Sequence, residues 1–336
     1  MMILDYPVYM RACYEHLMSE KILNGGESKK YYCRVDGIEL EYTKDKIRNI
    51  VQEGLDNDIL SKEEYTAMLA DEKDAAKFYC TFKVHKKHEP MTAPPPRPIV
   101  SGSGSVTENV ATFVEYHIKD IAKEHKSYLQ DTPDFLRYIE KVNNGPGLED
   151  NHILVTWDVV GLYNNILHEE GLESLKEGLE TRNNPEVPTD YLIKLMDIIL
   201  KNNLFDFHDE LWRQEIGCAM GTKPAPSYAN IFMAKKIDNR IIQLAQVYGT
   251  NKMNPLTMFK RFLDDIFSIF KGTTKDLHLL FDEMNEMHNS IKFTMNHSSP
   301  PNEAEEDRCQ CEVQSFVPFL DVSCSMQKGE DNDRPL

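Results

Sequence analysis

Two segments of the chain are apolar enough to be buried strands, and aspartate interrupts both. In "HILVTWDVVGLYNNI" the run Ile153 to Trp157 leads into Asp158; in "MFKRFLDDIFSIFKG" Asp264 and Asp265 stand between Met258–Leu263 and Ile266–Phe270. The second segment, rich in aromatic and β-branched residues, reads as a hairpin with Asp264-Asp265 at its turn, and the first as a strand with Asp158 at or near its end. Aspartate is also an ordinary turn former, because its side chain bonds the backbone ahead of it. An ionised carboxylate in so apolar a setting is nevertheless costly unless it is paired, hydrogen-bonded or metal-bound. Two acidic clusters on separate strands are a donor set able to hold a pair of divalent ions, and Mg²⁺ prefers carboxylate oxygens together with substrate phosphates.

The chain's 336 residues are 41% apolar, enough for one large or two ordinary globular domains. A formal net charge of −17 argues against a generic nucleic-acid coat. The charge is uneven: Glu303, Glu305, Glu306, Asp307, Glu330, Asp331 and Asp333 crowd the end, whereas Lys77, Lys83, Lys86, Lys87 and Arg97 cluster earlier, so a basic groove is compatible with the acidic sum. The seven cysteines show no paired metal-ligand spacing beyond Cys309-x-Cys311, which reads as reduced thiols. No secretory signal opens the chain and no apolar run is long enough to span a bilayer, so the expectation is an intracellular protein without a membrane partner.

Residues 1–76 read as an N-terminal helical extension, with Ser61-Lys62-Glu63-Glu64 a capping box. "KFYCTFKVHKK" alternates as a strand, and "HEPMTAPPPRPIVSGSGS" reads as a loop. Helices are expected from Thr132-Pro133-Asp134, with Phe135, Ile139 and Val142 following at helical spacing, and from Thr189 through Ile199. In "QEIGCAMGTKPAPSYANIFMA" two glycines, Gly217 and Gly221, precede a Pro224-Ala225-Pro226 corner and a helix over Ser227–Ala234. Such glycines fit a platform for a flat ligand and fit a structural turn equally well. His85 and His88 near Cys80 lack a second ligand pair, and "SGSGS" lacks the Gly-Lys-Ser/Thr of a phosphate loop.

The order of the motifs adds to this reading. "KVHK" (83–86), "RPIVS" (97–101), "DVVGLYNNI" (158–166), "MGTKPAPSYAN" (220–230), "RFLDD" (261–265), "IKFT" (291–294) and "FLDV" (319–322) together resemble the successive motifs of the reverse transcriptase of Penelope-like retroelements, a polymerase core also similar to that of telomerase. The resemblance implies an α+β right-hand polymerase with fingers and palm, its antiparallel palm sheet backed by helices. It implies an intracellular, nuclear protein with an RNA template, a DNA primer and deoxynucleoside triphosphates as partners, and two Mg²⁺ ions, with Mn²⁺ as a substitute. The core would span residues 77–326, leaving an acidic tail at 327–336 and a thumb that is absent or incomplete.

Residue by residue, the resemblance makes Asp158 and Asp264 the metal-binding aspartates and Asp265 their supporting acid and a third metal contact. Arg97, with Lys83 or Lys86, would grip the triphosphate, and Tyr163 would screen the sugar. Met220, Gly221, Ala225 and Pro226 would underlie template and nucleotide, while Phe319, Leu320 and Asp321 would form the primer grip. Lys292 is a candidate proton donor to pyrophosphate, or else a solvated strand lysine. The chain departs from the family in having Gly161-Leu162-Tyr163-Asn164-Asn165-Ile166-Leu167 where Ser-Leu-Tyr-Thr-Asn-Ile-Pro is usual, and Phe262-Leu263 where Tyr-Ile is usual; no metal ligand is lost. Two other readings stay open: a remnant that binds nucleic acid or a protein without polymerising, and a metal-dependent nuclease using the same acids.

Overall fold

Two structural units share the chain, each assembled from two separated segments: Met1–Ala122 with Gly161–Lys235, and Lys123–Val160 with Lys236–Leu336. The computed structural model describes residues 4–22, 28–70, 73–84, 93–249, 254–298, 312–314 and 316–326; Lys86, His85, His88, Cys309, Cys311 and the tail at 327–336 lie outside them. Among the described residues no helix is long and apolar enough to cross a membrane.

The first unit begins with α1 (Tyr6–Leu17), β1 (Glu20–Ile22), β2 (Ser28–Lys30), β3 (Tyr32–Arg34), α2 (Gly37–Asp56), α3 (Lys62–Met68), β4 (Ala76–Phe82), β5 (Pro96–Ser101) and α4 (Glu108–Ile118). Its second segment supplies α6 (Leu162–Asn165), α7 (His168–Leu179), α8 (Thr189–Lys201), β7 (Leu204–Phe207), β8 (Glu210–Gln214) and α9 (Ala225–Phe232). The capping box at Ser61 forms in both directions, Glu64 N donating to Ser61 Oγ at 3.1 Å and Ser61 N to Glu64 Oε2 at 2.8 Å. Strands β3-β8-β7-β4-β5 make a mixed sheet in that order, and β1 and β2 pair separately. Phe78, Phe205, Phe207, Trp212 and Tyr32 fill the core on this sheet, Phe78 and Phe205 stacked at 5.2 Å. His208 and Asp209, both with positive φ (54° and 63°), turn the β7–β8 hairpin, the backbone that a tight two-residue turn of the primed type demands.

The proline-rich stretch expected as a loop contains a strand. β5 lies antiparallel to β4, Arg97 opposite Thr81, at the edge of the sheet. Edge placement is what makes this possible. Pro96 and Pro98 alternate with Val100, and the Val100 N–H points away from β4, donating to the Met220 carbonyl at 2.8 Å. The prolines thus occupy positions where no N–H is needed for the ladder.

That contact belongs to the loop between β8 and α9, which binds two other pieces of backbone. Gly102 N donates to Gly221 O at 3.2 Å, and Cys218 N donates to Tyr163 O at 2.8 Å. Gly217 has φ +79°, and a Cβ there would stand 2.6 Å from both Asn164 Cα and the Tyr163 carbonyl oxygen. At Gly221, φ +116°, a Cβ would collide with the Val100 carbonyl. The glycines therefore permit close backbone approach within the protein.

The second unit contains α5 (Thr132–Asn143), β6 (His152–Val159), α10 (Asn239–Ala245), β9 (Leu256–Phe262), β10 (Asp265–Lys271), α11 (Thr274–Glu286), β11 (Phe293–Ser298), β12 (Glu312–Gln314), β13 (Val317–Phe319) and β14 (Val322–Cys324). Asp131 caps α5, accepting from Asp134 N at 2.8 Å, and the helix begins at Thr132. The sheet order is β12-β11-β6-β10-β9, antiparallel except for the β11–β12 pair. Leu154, Phe267, Ile269 and Met258 project from one face onto Phe135 of α5 and Val317 and Phe319 of β13. The rings of Phe135, Phe267 and Phe319 meet at 4.7–5.4 Å. α11 packs on the other face, where His278 meets His297 of β11.

The glycine contacts predict a contrast. Gly217→Ala forces a left-handed backbone and a backbone clash together, and should destabilise the protein by at least about 1–3 kcal/mol in denaturant unfolding. Gly37→Ala, where an added Cβ meets nothing within 4 Å, should fall between neutral and about 1 kcal/mol stabilising.

Candidate active site

The register of β6 against β10 brings the sequence's two acidic clusters together. Asp158 lies directly opposite Asp265, and Asp158 is opposite Thr294 on its other side. Val159 N donates to Asp264 O at 3.0 Å, so the neighbouring pair is the hydrogen-bonded one. Asp158 and Asp265 are then a non-hydrogen-bonded pair, the kind whose side chains approach most closely, with Cβ atoms roughly 4.5–5.5 Å apart. Like charges directly opposed across strands are destabilising unless something neutralises them. Asp158 is exposed although the six residues before it on β6 are buried; Asp264 and Asp265 are half-buried.

The turn itself is shifted from the sequence reading. Phe262 pairs with Asp265, which makes Leu263-Asp264 the two-residue turn and Asp265 the first residue of β10. Leu263 has φ +54°, where glycine is the usual occupant. A two-residue loop needs that backbone to match the twist of its strands, so the chain accepts a strained leucine rather than a longer turn.

A cavity of about 250 Å³ opens on the same face, lined by Thr156, Asp158, Asp265, Asn296, Pro318, Phe319 and Leu320 among others. Of the three residues assigned to a primer grip, Phe319 is buried in the aromatic cluster, Leu320 lines the cavity at φ +51°, and Asp321 is exposed. Lys292 donates from Nζ to the carbonyls of Asn285 (2.5 Å) and His288 (3.0 Å). It thereby closes the C-terminal end of α11, where orphan carbonyls and the helix dipole favour a cation, a structural role sufficient to explain it.

The remaining assigned residues lie in the first unit. Arg97 is exposed on β5, and Lys83, just beyond β4, is half-buried with its N–H donating to Pro95 O at 3.0 Å. Met220 and Gly221 hold the outer edge of β5 as described, and Ala225 (buried) and Pro226 (exposed) open α9. Tyr163 is half-buried on α6, whereas its neighbours Leu162 and Ile166 are fully buried and take the core positions of that turn. Burial pushes the Cys218 thiol, beside the Tyr163 carbonyl, up to about 12, which makes it inert.

Sequence reasoning passed over two supporting groups. Lys21 of β1 donates to Asn165 Oδ1 at 2.9 Å, and desolvation holds its ammonium below the ordinary lysine range. Arg261, inside the "RFLDD" motif, is almost fully buried and ion-paired with Asp238 at 3.0 Å. Only arginine's position at the end of an apolar strand hints at this in sequence, and nothing local names Asp238.

Among the described residues no three His, Cys, Asp or Glu side chains gather into a ready metal cage. The opposed carboxylates and the adjacent Asp264 are nevertheless hard oxygen donors. Mg²⁺ is usually bound through one or two carboxylates and completed by water and substrate phosphates rather than by an all-protein cage. The donor chemistry present fits such an ion.

No family model matches the sequence, and no curated protein matches it. Solved structures do. Apo telomerase from Candida tropicalis superposes with a TM-score of 0.53 at 9% identity, covering 93% of this chain and 56% of that one. A form of it truncated from the C-terminal domain gives 0.51 at 11% identity over 75% and 53%. Telomerase from Candida albicans in complex with a fragment of telomeric RNA gives 0.50 at 9% identity over 87% and 51%. The chain spans about half the length of these proteins, and it shares with them an α+β fold.

Proposed function

We propose that the chain is the fingers and palm of a template-dependent nucleic-acid polymerase, an RNA-directed DNA polymerase that extends a DNA primer on RNA. The observation that carries this reading is the opposition of Asp158 and Asp265 with Asp264 on the adjoining turn, on the sheet of a fold shared with telomerases. Carboxylates are opposed in this way at a cost, and the cost is offset where divalent cations and a triphosphate share the site. In phosphoryl transfer the protein contributes mainly position and charge. Asp158 and Asp264, supported by Asp265, would hold two Mg²⁺ ions, which when bound lower the pKa of the primer hydroxyl and neutralise the leaving pyrophosphate. Arg97 and Lys83 would neutralise the triphosphate, Arg97 with the fork geometry suited to phosphate oxygens. Tyr163 would exclude the ribonucleotide 2′-hydroxyl. The related likeness to Penelope-like reverse transcriptases supports the same roles through motif order alone.

Primer extension on an RNA template with Mg²⁺ tests the reading. Asp158→Asn and Asp264→Asn should each lower incorporation by about 10²–10³-fold or more, the scale of losing one principal charge-stabilising group, with melting temperatures equal to or above the wild type because a repulsion is removed. Asp265→Asn should cost less. Undiminished extension by either of the first two variants rejects the assignment, and a wild-type chain that binds primer–template without extending it would support the non-polymerising remnant instead.

For Tyr163, truncation to Ala should raise kcat/KM for ribonucleotides relative to deoxyribonucleotides on the order of tenfold, equivalent to about 1.4 kcal/mol. Were the ring a core residue, the ratio would stay constant while stability fell by about 3–5 kcal/mol. Kinetics with both sugars, beside a melting curve, separates the two.

A further inference from the structure

Asp158 and Asp265 occupy one face of the second unit's sheet, and an arginine grips the adjoining turn from the other. Arg261 lies opposite Ile266, which in turn lies opposite Trp157, one step out of phase with the Asp158–Asp265 pair, so its side chain leaves the opposite face. Its Nη1 donates to the carbonyl of Leu263, the residue at φ +54°, at 3.0 Å. Nε and Nη2 form a fork on Asp238 at 3.0–3.1 Å. Asp238, fully buried, also accepts from Ser127 Oγ at 2.5 Å. The strand backbone is tied to the same segment: Arg261 N donates to Ser127 O at 2.7 Å, and Leu129 N donates to Arg261 O at 2.9 Å.

Two observations separate this arrangement from ordinary core packing. A buried ion pair is a poor source of stability, since well-packed apolar residues in its place are often neutral or better. The second hairpin supplies an internal control. Phe319-Leu320-Asp321 repeats Phe262-Leu263-Asp264, its leucine also has positive φ (51°), and Pro318 stands where the first hairpin has Arg261. The Phe-Leu-Asp turn therefore forms without an arginine, and what Arg261 adds is a fixed position.

We propose that Arg261 is a positioning residue: by holding the Leu263 carbonyl against the Asp238–Ser127 network, it fixes the turn and with it the Asp264 and Asp265 carboxylates. The consequence for catalysis rests on the polymerase reading; the consequence for the turn does not. Misplacement of reacting groups by about 1 Å can cost on the order of 10²-fold in rate.

The test uses the full chain carrying Arg261→Met with Asp238→Leu, which removes the grip without stranding a buried charge, and Arg261→Lys as a second variant should the first not fold. Amide hydrogen exchange is followed at Leu263–Asp265 and at Leu320–Val322, alongside primer extension at saturating nucleotide. The expected result is exchange at least about tenfold faster in the first turn and unchanged in the second, with kcat down by about 10²-fold and nucleotide KM little altered. Wild-type exchange at Leu263–Asp265 in a folded variant overturns the proposal. Faster exchange in a chain whose wild type does not polymerise upholds the positioning role and rejects the polymerase reading alone; faster exchange with wild-type kcat overturns its catalytic consequence.

Discussion

The register between β6 and β10 is the constraint on which the candidate site depends. A slip of one residue would send every side chain of β6 to the opposite face, Asp158 into the layer beneath α11 and Trp157 out toward the cavity. What prevents the slip is the apolar set that shares the acids' face. Leu154, Phe267 and Ile269 must meet Phe135 and Phe319, and they do so only in the register that also opposes Asp158 to Asp265. Burial of the aromatic cluster thus supplies the free energy that holds two like charges side by side.

The first unit shows the same dependence of assigned residues on unremarkable packing. Tyr163 and the strand of Arg97 are both tied to the loop between β8 and α9, one through Cys218 N and the other through Met220 O. Gly217 and Gly221 make those approaches sterically possible. Residues that a motif search would assign to substrate are, in their backbones, part of one hydrogen-bonded assembly, so a side chain added at Gly217 would press on the Tyr163 carbonyl and displace that residue's backbone.

Much of this was legible in the chain itself. The strand leading to Asp158, the apolar hairpin arms, the Ser61 box and the α8 helix follow from periodicity and capping chemistry that act over a few residues. The turn lies one residue earlier than the sequence suggests, because Asp264 and Asp265 are equally good turn formers and only the pairing of Phe262 with Asp265 decides between them. In sequence β5 reads as a loop because local rules count prolines against a strand, and its edge position, which excuses them, is a property of the sheet. The Arg261–Asp238 pair is hidden for a related reason: its partners stand 23 residues apart, and nothing local names Asp238. Lys292, which in sequence reads as a proton donor or a solvated strand lysine, donates here to two carbonyls at the end of a helix.

One topological fact bears on how such a protein is made. β6, the central strand of the second unit, is flanked on both sides by strands from the later segment, β10 and β11, while everything from Gly161 to Lys235 is threaded in between. During synthesis β6 leaves the ribosome with both hydrogen-bonding edges unsatisfied, at chain growth of about 5–20 residues per second. It must wait seconds for Asp265–Lys271 to arrive. In that interval Ile153–Trp157 is a bare, β-prone ribbon. The aspartate at its end, with a charge that resists stacking against another copy of itself, is then a safeguard against aggregation before any other role begins.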